Sequence, residues 1–165
     1  MRIAASAVLI VLAACGPVAP PSSETPTQAP AKAAADSGND AEEAAERQAR
    51  IAALSVPYNE ASYQAGRRVF AQCRSCHAIE AAAGHRVGPN LHGLFGREIG
   101  TAAGFSYSQS LQAADFTWDS DQLDQWLANP RTFLPGNRMA FAGVRDIAQR
   151  RDVIAYLMVE TAPEE

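Results

Sequence analysis

The chain has 165 residues, 14 lysines and arginines against 18 aspartates and glutamates, and a formal net charge of −4. That near balance excludes the strongly basic face that a nucleic-acid partner requires, and an odd count of 3 cysteines excludes a disulfide framework. The length allows one ordinary domain together with stretches that are not domain.

Taken from its start, the chain reads MRIAASAVLIVLAACG. Arg2 precedes an apolar run from Ile3 to Ala14, shorter than the roughly 20 residues that span a bilayer. A basic start with a short apolar middle predicts an export signal over residues 1–14. Leu12-Ala13-Ala14-Cys15 resembles a bacterial lipobox, which implies a cut before Cys15, lipid on its thiol and a mature chain held at the periplasmic side of a membrane. The alternative is a cut after Gly16 and a soluble periplasmic protein. Residues 15–57 are rich in Pro, Ala, Ser, Thr and Glu, with too little apolar surface to offset the entropy of ordering. They are expected to form a disordered, lipid-anchored linker with a reach of roughly 35 Å. Within it, Asp40 to Leu54 contains strong helix formers but no apolar stripe, so any helix there is expected to be solvated rather than packed.

Residues 58–160 carry both tryptophans and every tyrosine and phenylalanine, and read as the folded domain, followed by a tail over 161–165. Gly66, Val69, Phe70 and Cys73 recur on one face of a first helix. Asp119 or Ser120 caps a second, with Leu123, Trp126 and Leu127 inward and Asn129-Pro130 as its stop. A last helix runs from about Asp146 to Val159. Glycine- and proline-rich loops lie between, and no alternating run predicts a strand. The expected class is all-α, with three to five short helices around a core thin enough to need a staple.

QCRSCHA at residues 72–78 names the staple. A zinc site needs about four ligands, and no second Cys/His pair accompanies Cys73 and Cys76, since His85 and His92 sit in a glycine-rich loop without cysteines. A thioredoxin-like pair follows a strand, and here the face of a helix runs straight into the motif. The remaining reading is covalent haem attachment, with Cys73 and Cys76 bonded to the porphyrin and His77 on the iron. Electron transfer then asks for a second axial ligand. Met1 leaves with the signal and Met158 belongs to the last helix, whereas Met139 lies in the polar loop PGNRMAF. Axial His77 and Met139 leave no open position for a substrate, and a thioether ligand favours the reduced iron.

Beyond these residues, the whole of Tyr58–Val159 resembles a class I cytochrome c of the mitochondrial and alphaproteobacterial type. GRRVFAQCRSCHAIE, VGPNLHGLFGR, GFSYS, LANP, PGNRMAFAG and VIAYL fall in the family's order. The resemblance implies one haem c, with the Pro89 carbonyl on the His77 ring N–H, and Arg97, Tyr107 and Trp118 hydrogen-bonded to a buried propionate. It implies that Gly66 and Phe70 meet Tyr156 and Val153 where the first and last helices cross. Two positions depart from the family's pattern. Trp126 stands where a tyrosine is common near the methionine sulfur, and Leu111 where an asparagine often holds an internal water. The family docks through a basic ring around the haem edge, here reduced to Arg86, Arg131, Arg138 and Arg145. The implied function is a monomeric, membrane-tethered single-electron carrier, not an enzyme. The implied partners are a quinol–cytochrome c oxidoreductase as donor and a terminal oxidase or photosynthetic reaction centre as acceptor. The alternatives are a soluble periplasmic cytochrome c, or a haem peroxidase should the methionine ligand leave.

Overall fold

A computed structural model describes residues 33–163, with side chains placed from residue 41 onward. Six α-helices and one 3₁₀ turn follow in order. They are α1 Ala33–Ala52, the turn Tyr58–Glu60, α2 Tyr63–Phe70, α3 Gln109–Ala113, α4 Ser120–Ala128, α5 Pro130–Phe133 and α6 Ile147–Glu160. Among the described residues the sole β interaction is an isolated bridge between Glu98 and Thr117, so the all-α expectation stands.

Short polar side chains start four of these helices. Ser62 Oγ accepts from the Ala65 N–H at 3.2 Å, Asp119 from Gln122 at 2.7 Å, Asn129 from Thr132 at 3.2 Å and Asp146 from Gln149 at 2.9 Å. Each satisfies a donor that the helix itself leaves orphaned. Asn129-Pro130 both ends α4 and begins α5, because proline at the first helical position lacks the N–H that would be orphaned there.

The core forms where α2 crosses α6. A Cβ on Gly66 would lie 2.2 Å from the Asp152 carbonyl oxygen and 2.6 Å from Tyr156 Cβ. Hydrogen alone fits there. The Phe70 and Tyr63 rings each sit 5.3 Å from the Tyr156 ring, and Val153, Ile154, Ala155 and Leu157 complete the buried face of α6. Arg150, 8 % exposed, donates to Asp124 at 2.8 Å and to the Val144 and Arg145 carbonyls at 3.0 Å each. It thereby ties α6 to α4 and to the loop before α6.

Burial, with the Glu160 carboxylate beside it, pushes the Tyr156 hydroxyl up to about 12 from an ordinary 10.0. A pKa raised on folding adds stability that is complete below pH 10 and is lost as pH climbs towards 12. Thermal melts between about pH 9 and 11.5 are therefore expected to fall to lower temperature as this group ionises. Tyr156→Phe should flatten that fall; an unchanged slope would remove Tyr156 as its source.

Two boundaries need correction. The linker expected to be disordered to residue 57 ends in a helix whose last turns are packed: Ile51 is fully buried, Arg47 pairs with Glu160 at 3.0 Å, and Gln48 bonds the backbone of Ala61 and Tyr63. Hydrogen bonds to fixed backbone hold this segment, so it needs no apolar stripe. The tail expected from 161 begins a residue later. Thr161 is 1 % exposed, its hydroxyl donates to the Leu157 carbonyl at 2.7 Å and its carbonyl accepts from Gly93 at 2.7 Å. The signal over 1–14 and Cys15 lie outside the described residues.

Candidate haem site

The site begins where α2 unwinds. The Cys73 N–H donates to the Phe70 carbonyl at 2.8 Å, and the Cys73 carbonyl accepts from Cys76 at 3.0 Å and His77 at 2.9 Å. One continuous turn therefore carries both thiols and the imidazole. The cysteines are free and half-buried. Burial, with Cys76 adjacent, pushes the Cys73 thiol up to about 11, whereas a reactive redox cysteine has a depressed pKa. Among the described residues no three His, Cys, Asp or Glu side chains gather to hold a bare metal ion.

The next loop fixes the imidazole. His77 Nδ1 lies 2.8 Å from the Pro89 carbonyl oxygen. A carbonyl can only accept, so Nδ1 carries the proton and Nε2 keeps its lone pair. Burial holds the pKa below its ordinary 6.5, against the opposing pull of the Pro89 bond, so the ring is neutral near pH 7. A Cβ on Gly88 would stand 2.3 Å from His77 Cε1. Glycine at 88 thus lets this loop lie flat on the ring. Asn90 secures the loop: its side-chain amide donates to the Glu80 carbonyl at 2.9 Å and the Ala83 carbonyl at 2.5 Å, and its oxygen accepts from the His92 N–H at 2.7 Å.

Arg97 donates to the His92 and Asn90 carbonyls at 3.1 and 3.2 Å. Burial lowers its pKa, Tyr107 opposing, and among the described residues it forms no ion pair. A half-buried guanidinium without a carboxylate suits an anionic group. Trp118 is buried and lies edge-to-face on Trp126, centroids 5.6 Å apart, and Trp126 in turn packs on Phe133 at 6.1 Å. Leu111 packs half-buried against the same core.

Met139 is also half-buried and packed on the core. Asn137 holds it there. Its carboxamide nitrogen donates to the Pro130 and Leu134 carbonyls at 2.8 Å each, while its oxygen accepts from the Met139 N–H at 2.9 Å. Sequence reading missed Gly88, Asn90 and Asn137. The signal was present: each is a glycine or asparagine within a proline-bearing loop, where such residues make local backbone bonds.

The four docking candidates are exposed, and none has a carboxylate partner among the described residues. Arg86 donates to the Arg74 carbonyl at 2.6 Å, close to the Gly88 loop beside His77. Arg138 donates to the Ser106 carbonyl. Arg131 stands on α5 and Arg145 just before α6.

Two thiols on one turn, a neutral imidazole with free Nε2, a half-buried thioether and an unpaired guanidinium make a donor set that fits haem c. Leu91, Phe116, Phe133 and Leu134 pack on the core with part of their apolar surface uncovered, as the lining of a macrocycle would. Such a shell defines a small haem-binding electron carrier.

Comparison with known proteins agrees. The family model for cytochrome c matches residues 63–159. Cytochrome c of Guizotia abyssinica is 43 % identical over 100 residues, covering 60 % of this chain and 90 % of that protein. Cytochrome c of Chlamydomonas reinhardtii is 48 % identical over 98 residues, covering 59 % and 88 %. Among solved structures, cytochrome cH from Methylobacterium extorquens superposes with a TM-score of 0.55 at 40 % identity, over 58 % of this chain and 96 % of that one. The chain belongs to the cytochrome c family. Its cofactor is covalently bound haem c, and it is an electron carrier, not an enzyme.

Proposed function

We propose that this chain is a membrane-tethered single-electron carrier on the periplasmic side of a bacterial membrane. It takes electrons from a quinol–cytochrome c oxidoreductase and delivers them to a terminal oxidase or a photosynthetic reaction centre. Cys73 and Cys76 would hold the haem covalently, His77 and Met139 would ligate its iron, and Cys15 would carry the lipid. The observation that carries the assignment of the site is the His77 imidazole, locked by the Pro89 carbonyl at 2.8 Å with Nε2 left free.

Haem c supplies a one-electron iron couple when bound. The chain's own residues do the rest. Pro89 keeps the proton on Nδ1 and so fixes which nitrogen is offered. Met139, held by Asn137, is a soft ligand that favours the reduced state. Arg97, Tyr107 and Trp118 would hydrogen-bond a propionate, and Trp126 and Leu111 would line the pocket with apolar surface. No described helix is long and apolar enough to cross a membrane, so the tether reading rests on Cys15 and the signal before it. Tethering raises local concentration to roughly millimolar, which lets a thin set of docking arginines suffice.

The docking part has a direct test. Electrostatic complementarity sets encounter rate and orientation more than affinity. Arg131→Glu with Arg138→Glu should slow oxidase turnover by about tenfold at low ionic strength, and the gap should close as salt screens it. Equal turnover at every ionic strength would place the docking face elsewhere.

A further inference from the structure

The end of α1 is fastened to the domain by contacts that complete two other helices. Gln48 spans the start of α2: its oxygen accepts from the Tyr63 N–H at 2.8 Å, an orphan donor of the first turn, and its nitrogen donates to the Ala61 carbonyl at 3.0 Å. Arg50 donates to the Val159 carbonyl at 2.9 Å, one of the acceptors that α6 leaves unsatisfied at its end. Arg47 donates to Glu160 at 3.0 Å, and the Tyr63 hydroxyl reaches the same carboxylate oxygen at 3.2 Å. Ile51, with no exposed surface, closes the contact. A solvated linker helix would make none of these bonds.

We infer that α1 is a fixed strut, docked at the corner where α2 begins and α6 ends, so that the leash on this domain stops at the front of α1 and not at Tyr58. The consequence for reach rests on the tethered reading above. The helix has 20 residues, and at 1.5 Å per residue it is a rod about 30 Å long. It packs on the 3₁₀ turn, α2 and α6, and on no other helix among the described residues. Arg131 on α5 is therefore left clear of it, whereas Glu43, Ala44 and Arg47 border one cavity with Arg74, His77 and Arg86. Its sequence from Asp36 to Glu46 contains five acids and no base, which anionic lipid would repel. Rod and charge together hold the domain off the membrane and leave the α5 side, with Arg131, uncovered.

Hydrogen–deuterium exchange on the full-length holoprotein tests the strut. Peptides covering 47–57 should exchange at least about 100-fold slower than an unstructured chain, because a helix this polar is marginal alone and owes its protection to docking. Ile51→Asp should bring those peptides to within about threefold of the unstructured rate, leaving α4 protection and the haem absorption spectrum unchanged. Gln48→Ala with Arg50→Ala provides a second route to the same loss if the aspartate variant does not accumulate. Near-unstructured exchange in the wild type would overturn the strut, and so would protection that survives both variants. A lipid-free preparation must give the same protection, so a failure of the tether reading would appear separately, in the mass of the mature chain.

Discussion

Replacing Cys73 and Cys76 together by serine is expected to yield a chain that leaves denaturing electrophoresis without haem, whereas the wild type retains it. Both cysteines lie on one turn, the Cys76 N–H donating to the Cys73 carbonyl at 3.0 Å, and they are the only cysteines among the described residues, so no other thiol there can substitute. His77 and Met139 remain in the variant and still offer iron a nitrogen and a sulfur, but ligation alone does not survive denaturant. The variant chain should also lose most of its helical signal. Its core lies mainly along the α2–α6 crossing, and apolar side chains such as Phe116 and Phe133 are only partly covered by it, so losing the haem would leave them exposed. Each single serine variant keeps one covalent bond and should fall between. Haem that persisted on the double variant would mean that the motif is not the attachment site.

Gly66→Ala should be strongly destabilising, although it adds a single methyl. Inside a helix, alanine is favoured over glycine by about 1 kcal/mol, so propensity alone predicts stabilisation. Geometry opposes it: the added Cβ would be 2.2 Å from the Asp152 carbonyl oxygen and 2.6 Å from Tyr156 Cβ. A backbone oxygen cannot move aside as a side-chain tip can, so α6 must slide off α2. Overpacking of this kind costs about 1–3 kcal/mol or more, and contact with backbone puts it at the upper end. After the helical gain, a net loss of about 2 kcal/mol remains, or roughly 8–16 °C in melting temperature for a domain near 100 residues. Gly84→Ala is the control, since nothing lies within 4 Å of its Cβ; it should leave the melt unchanged. A Gly66→Ala melt equal to the wild type would mean that the helices are not in such close contact.

Much of this was legible in the residues. The spacing of Gly66, Val69 and Phe70 marks the inner face of α2, and Asp119 and Asp146 mark helix starts, because capping and periodicity act within a few residues. CxxCH is local in the same way. Contacts between distant segments were less visible. α1 is held by Arg47, Gln48 and Arg50 bonding backbone and a carboxylate from elsewhere in the chain, and a polar contact of that kind leaves no periodic mark. Helices α3 and α5 are too short for a pattern, and α5 hides behind a proline that reads as a stop. Asn90 and Asn137 place His77 and Met139 through bonds to their own loops, which composition records only as loop-forming residues.

On the function proposed above, the carrier bears one haem and is held to a membrane through Cys15. The most direct measurement is the intact mass of the mature protein purified from the membranes of its own host. The account predicts the mass of Cys15–Glu165 plus one haem plus acyl groups. A haem-bearing chain that begins after Gly16 without acyl mass would contradict the tether, and a mature chain without haem would contradict the carrier itself.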